Sequence, residues 1–471
     1  MKSIIEKIND LAKPLVTPGL DPNFIPAIKW IEAYDSLAKE TAGSRDVIID
    51  LLRPDGTGKR ESLVLFPDLP EYTAASFLRV ERLIKQLLWQ VGGSNILIDG
   101  ADEFKAQLEA HFAADGAGHF DNLTIAQKVY SSPISIENKA LAGTAEPQLS
   151  KADMGGHLEG YRIGFDLGGS DRKCAAVING EVVFSTEIAW SPYFETNPEY
   201  HFKGIQDSLE KAAEHLPRID AIGGSAAGIY VDNQPRVASL FRGLSPEDFD
   251  AQAKPIFEAI QKKWDNVPMI VVNDGDVSAL AGAMAGDCDS LLGIAMGTSL
   301  AAGYVDEQKK ITSMLNELAF APVDFAEDAA VDEWSHDKGC GVQYFSQQAV
   351  QRLSKAAGLE FPADMKAPEI LVEVQKLMEK EDPAAVQIYE TIGSYLGYTL
   401  ALYAKFYGLK GIMLLGRVMT GQGGELIVKV ADEVLAKEYP EVAKQLRTVT
   451  PDEKTKRHGQ AIAAASLPQL G

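Results

Sequence analysis

Cysteine is scarce in this chain. Only Cys174, Cys288 and Cys340 occur among 471 residues. They are odd in number and far apart, so no disulfide framework follows. Positive charge is also short: 45 Lys and Arg against 67 Asp and Glu leave a net charge of -22. No basic run interrupts this excess. A phosphate backbone is therefore repelled, which argues against nucleic acid as a partner. No stretch reaches about 18 uninterrupted apolar residues, so no transmembrane helix and no membrane partner are expected. The opening MKSIIEKINDLAKPL has no apolar core followed by a small-residue cleavage site. A cytoplasmic enzyme or binding protein fits these absences.

What is present is ordinary for a soluble globular chain: 46% hydrophobic and 24% charged residues. The length exceeds a single core and predicts two to four folding units. Residues 1–155 read as an N-terminal α+β block of unknown role. It has helices near 3–11 and 73–91, a turn at Gly92-Gly93 and a short strand at 95–98. A further helix at 102–113 has an acidic start. Small and polar residues make 142–156 a linker. From Tyr161 an apolar run ends in glycines. Two strands then meet at Asn179-Gly180, a tight-hairpin signal. Helices near 203–215, 255–264 and 277–285 alternate with strands at 219–223, 269–272 and 290–296. A long helical segment at 392–407, a strand at 412–415 and a helix at 424–435 follow. Antiparallel strands first, then alternating strands and helices, predict an α/β layered fold.

Four segments carry candidate chemistry. Asp166, Gly168, Gly169, Ser170 and Lys173 follow a strand. A carboxylate there can hold a metal ion through water, and two glycines let backbone N–H groups approach phosphate oxygens. The same residues also read as a glycine hairpin with a solvent lysine. Asn273 and Asp274 end the strand MIVV, where α/β proteins face ligands and a carboxylate can accept a hydroxyl proton. They read equally as an Asx turn or helix cap. Gly297, Thr298 and Ser299 form a second strand–turn–strand. Gly416 lies in a glycine turn between the last apolar strand and a helix.

In this order the segments resemble the actin/hexokinase-like ATPase superfamily, and within it the ROK family. GFDLGGSDRK looks like the first phosphate loop of that family. VVNDGDVSALAGAMAG looks like its Asn-Asp segment, and IAMGTSLAAGYV like its second phosphate loop. IDAIGGSAAGIYVD resembles the strand turn preceding the sugar site. The resemblance runs from about Tyr161 onward. It implies a two-lobed α/β fold of ribonuclease H-like type, with a small lobe at 156–285 and a large lobe at 286–471. It implies an ATP-dependent sugar kinase with Asp274 as general base and Asn273 and Glu317 on the sugar. Asp166 would orient Mg2+. Gly168, Gly169, Ser170 and Lys173 would lie near the phosphates of ATP, with Gly297, Thr298 and Ser299 in the second loop and Gly416 near the adenosine. A homodimer and a small-molecule sugar as partner complete that expectation.

The chain departs from the family where zinc and sugar are usually gripped. Phe320 replaces a histidine after Glu317. Glu333 and Ser335 replace two cysteines, Cys340 remains, and Val342 replaces a glutamate. One thiolate does not make a tetrahedral site, so no zinc site is expected. Burial of Trp334, Phe320 and Tyr344 is expected to hold this loop instead, and the sugar pocket to be more apolar. A noncatalytic sugar-sensing regulator and an ATPase acting on a non-sugar substrate remain open as competing functions.

Overall fold

The computed structural model of the protein describes residues 2–150, 153–450 and 459–470. Its N-terminal block is built on a hairpin, β1 (Arg45–Leu52) and β2 (Gly58–Leu65). Pro54-Asp55-Gly56 turns the chain between them, with Gly56 at φ 83°, the left-handed conformation a turn glycine supplies. β3 (Asn95–Asp99) and β4 (Ser135–Asn138) complete a sheet ordered β2-β1-β3-β4. The expected first helix is Ile4–Leu11, capped by Ser3 and Glu6 in a reciprocal capping box. The second is Pro70–Gln90. The helix expected at 102–113 is shorter: a 3-10 turn, Asp102–Phe104, leads into Lys105–His111. The expected linker holds no helix or longer strand, only the isolated bridge from Met154 to Ile311. Its residues 151 and 152 lie outside the described residues.

The first lobe follows from graded burial. It contains β5 (Tyr161–Leu167), β6 (Asp171–Ile178), β7 (Glu181–Ala189) and β8 (Ala221–Ala226). A small hairpin, β9 (Ile229–Val231) and β10 (Gln234–Val237), precedes β11 (Met269–Asn273). The main sheet is ordered β11-β8-β5-β6-β7. β8 is buried throughout and β7 alternates between exposed and half-buried, as inner and edge strands should. The turn from β6 to β7 puts Asn179 at φ 49° and Gly180 at φ 83°, the pair of left-handed residues that a tight hairpin needs.

The second lobe centres on β12 (Leu291–Met296), β13 (Leu300–Val305), β14 (Gly411–Leu415) and β15 (Arg447–Thr448), ordered β13-β12-β14-β15. Helices Pro383–Tyr407 and Gly421–Glu438 pack side by side on it. The C-terminal helix Gln460–Ala465 returns to the first lobe and lies on β5 and β8. Glycine permits that approach: a Cβ on Gly223 would sit 1.7 Å from the Ala464 carbonyl oxygen. The N-terminal block is not a separate body. One hydrophobic core runs from Ile8 through Trp30 and Trp89 to Tyr395 and Leu435. Phe24 meets Tyr395 with ring centroids 4.7 Å apart. Among the described residues, no helix is long and apolar enough to cross a membrane.

Candidate active site

Parallel strands bring their C-terminal ends to one edge, and the candidate carboxylates sit there. β8 lies between β5 and β11, so Asp166 is opposite Ser225 and Asn273 opposite Ala226. The Ser225 hydroxyl donates to Asp166 Oδ1 at 2.8 Å. Burial pushes the Asp166 carboxyl up to about 6, and the nearby Asp274 charge adds to the rise. Lys173, opposite Asp166 on β6, opposes it.

Two glycine turns flank this edge. Between β5 and β6, the Gly168 N–H donates to the Asp171 carbonyl at 3.0 Å. The Gly168 carbonyl accepts from Trp190 Nε1 at 2.8 Å. Ser170 is exposed and its hydroxyl donates to Asp171 at 2.8 Å. Between β12 and β13, the Gly297 N–H donates to the Ser299 carbonyl at 2.9 Å, leaving Thr298 and Ser299 exposed. Gly416 adopts φ 94°, and a Cβ there would lie 2.4 Å from the Met296 carbonyl oxygen. The structure thus joins the Gly416 turn to the base of the second hairpin.

Asn273 caps the helix Asp274–Gly286. Its Oδ1 accepts from the Gly275 N–H at 2.7 Å and its Nδ2 donates to the Gly228 carbonyl at 2.7 Å. The side chain therefore fixes both the helix start and the turn before β9. Asp274, the first residue of that helix, is half-buried, and burial raises its carboxyl above the usual range. Burial also brings Glu317 to about 7, with the Asp274 charge contributing. Tyr230 is held un-ionised by burial and by the same charge. The Asp274 charge thus bears on both Asp166 and Glu317. Glu317 is set by the N-terminal block: its N–H donates to the Trp89 carbonyl at 2.9 Å, and that of Asn316 to Gln90 at 3.0 Å.

The sequence reading missed Asp276. It is 6% exposed. Its Oδ1 accepts from Asn316 Nδ2 at 3.0 Å and from the Tyr304 N–H at 3.2 Å. The Tyr407 hydroxyl donates to Asn316 Oδ1 at 3.0 Å. Burial raises Asp276 to about 8, so the native carboxyl is largely protonated at neutral pH. The available signal was a second carboxylate in the first turn of an otherwise small and apolar helix.

The loop after Glu317 needs a correction. Trp334 is 73% exposed and does not anchor it. Hydrogen bonds do. Buried Asp332 accepts from the N–H groups of Trp334 at 3.1 Å and Ser335 at 2.7 Å, and from the Ser335 hydroxyl at 2.8 Å. This turn points the tryptophan outward. Asp337 pairs with Arg82 at 3.0 Å and Lys85 at 2.9 Å, both from helix Pro70–Gln90. Tyr344 is buried. Phe320 packs into the N-terminal block, 4.4 Å from Trp89 and 5.1 Å from Phe120 between ring centroids. Cys340 and Val342 are buried, Glu333 and His336 exposed. Among the described residues, no three His, Cys, Asp or Glu side chains are grouped to hold a metal ion.

The ROK family model matches residues 162–466. A ROK hexokinase from Thermus thermophilus is 18% identical, with 65% of this chain and 98% of that one aligned at a TM-score of 0.50. A ROK glucokinase from Streptomyces griseus, in complex with glucose and AMPPNP, is 20% identical over 66% and 100% of the two chains, with a TM-score of 0.47. A ROK family transcriptional regulator, a homolog of the E. coli MLC protein, is 19% identical over 65% and 78%, with a TM-score of 0.49. No curated protein matches the chain. The fold is the two-lobed hexokinase-like one.

Proposed function

The chain belongs to the ROK family, and from that membership we propose that it is an ATP-dependent sugar kinase with Asp274 as the general base. The observation that carries this reading is the place of Asp274. It follows β11 directly and starts the next helix, at the strand-end edge that also carries Asp166. A base in that position takes the proton of the attacking hydroxyl. Asn273 and Glu317 orient the sugar. Gly168, Gly169, Ser170 and Lys173 face the phosphates from one hairpin, and Gly297, Thr298 and Ser299 from the other. Gly416 lies toward the adenosine. The cleft would lie between the lobes at 156–285 and 286–471.

Asp166 fits magnesium. One carboxylate, with water and substrate phosphates as the remaining ligands, suits the ion, and this half-buried carboxylate has the Ser225 hydroxyl on one oxygen and Lys173 as its nearby cation. Bound there, magnesium supplies charge neutralisation at the phosphates. The protein's own share is positioning and proton acceptance, which phosphoryl transfer chiefly needs. The test is ATP turnover with magnesium against a panel of hexoses, amino sugars and polyols, with detection of the sugar phosphate. One acceptor should be phosphorylated. Sugar binding without any turnover would favour a regulator instead.

A further inference from the structure

A cavity of about 520 Å3 opens between the N-terminal block and the first lobe. It is bounded by Arg53 and Tyr130, by the β9–β10 hairpin with Arg236, and by the loop 311–315. Asn273 and Asp276 touch its inner wall, but Asp166, Asp274 and both phosphate hairpins lie outside it.

Its charge is unusual for so acidic a chain. Arg53 is 6% exposed. Its guanidinium donates to the Val91 carbonyl at 2.7 Å and to Ser313, all neutral acceptors. Arg236 makes no side-chain hydrogen bond or ion pair among the described residues, and Nε of both arginines is buried without a partner. The Arg53 guanidinium carbon lies 5.8 Å from the centroid of the half-buried Tyr130 ring, and Arg53, Tyr130 and Arg236 all line the cavity. Of the carboxylates at the rim, Asp55 is near enough for its charge to act on Arg53, but none forms an ion pair with either arginine among the described residues. Asp55 and Asp232 are exposed, and Asp55 accepts from Thr57. Asp276 is largely protonated at neutral pH. Withdrawing a guanidinium from water is costly; neutral acceptors offset part of that cost and an anion offsets more.

We propose that this cavity binds a small phosphate ester, with the phosphate held by Arg236, Arg53 and the Tyr130 hydroxyl. A planar guanidinium matches phosphate oxygens in pairs. The volume falls within the range of about 300–1,000 Å3 that holds small organic ligands. Ile270, Met314 and Leu315 supply apolar wall for the organic part. The loop from Ser313 leads directly to Glu317, and Asn273 caps the Asp274 helix, so an occupant touches the supports of the proposed sugar site. Binding itself does not depend on the kinase reading.

Isothermal titration of the full-length protein tests this, with hexose 6-phosphate, inorganic phosphate and a hexonate as probes. Saturating AMPPNP blocks the phosphate hairpins. Hexose 6-phosphate should bind with AMPPNP present. R236Q should weaken it at least about tenfold, the loss of one charge-assisted hydrogen bond or more. Arg236 makes no side-chain hydrogen bond or ion pair among the described residues, so R236Q should melt with the parent and bind AMPPNP equally. Y130F should weaken the ester less than R236Q does. No binding under AMPPNP, or equal affinity in R236Q and the parent, would overturn the site. Hexonate or inorganic phosphate binding as tightly as the ester would overturn the ligand class.

Discussion

Asp276 is the carboxyl near the site whose proton matters most to stability. The unfolded side chain ionises near 3.8, and burial moves the native group to about 8. The native state therefore holds a proton that the unfolded chain releases. Its contribution is fully present below about pH 4 and is lost as pH rises through 8, at no more than about 1.4 kcal/mol per pH unit. D276N keeps an oxygen for Asn316 and the Tyr304 N–H but cannot ionise. Its melting temperature relative to the parent should rise steadily from pH 5 to pH 8. A pH-independent difference between the two proteins would contradict the assignment. Asn273 shows the converse lesson at this scale. Both of its readings were legible in the sequence, and the structure shows the cap directly.

At the scale of elements, the helix Pro70–Gln90 ties the N-terminal block to the loop beyond Glu317. Lys85, 1% exposed, reaches Asp121 and Asp337 at 2.9 Å each. Trp89 Nε1 donates to Asp121 at 2.9 Å. K85M leaves the buried Asp121 without its cation, while Asp337 keeps Arg82. Denaturant titration should show a loss of about 3–5 kcal/mol, the range for breaking a buried pair from one side. A loss under about 1 kcal/mol, typical of an exposed pair, would refute the anchoring role. Elements that announce themselves locally were legible. Asn179-Gly180 demanded a hairpin, and apolar runs ending in glycine or Asp marked β5, β11 and β12. The hairpin of β1 and β2 went unread despite its Pro54-Asp55-Gly56 turn. The helix Ala27–Glu40 was hidden for another reason: its apolar side is completed by Pro383–Tyr407, more than 340 residues away in sequence. The hold on Glu317 is made by the carbonyls of Trp89 and Gln90, and backbone contacts leave no residue signature.

For the whole molecule, the shared core makes the N-terminal block part of the second lobe's support, while the first lobe carries Asp166 on its own sheet. The proposed reaction needs the two lobes to meet around both substrates and exclude water. Small-angle scattering should show a smaller radius of gyration with AMPPNP and sugar together than with either alone. An unchanged radius in the doubly bound protein would argue against closure. The central claim is that Asp274 accepts the proton of a sugar hydroxyl. The most direct measurement compares single-turnover phosphorylation of the accepted sugar by the parent and by D274N, with binding of sugar and AMPPNP measured on the same samples. The amide is nearly isosteric and cannot take the proton. Binding should be retained while the transfer rate falls at least about 100-fold, the lower range for losing a general base. A folded D274N protein that transfers phosphate at the parental rate would contradict the account.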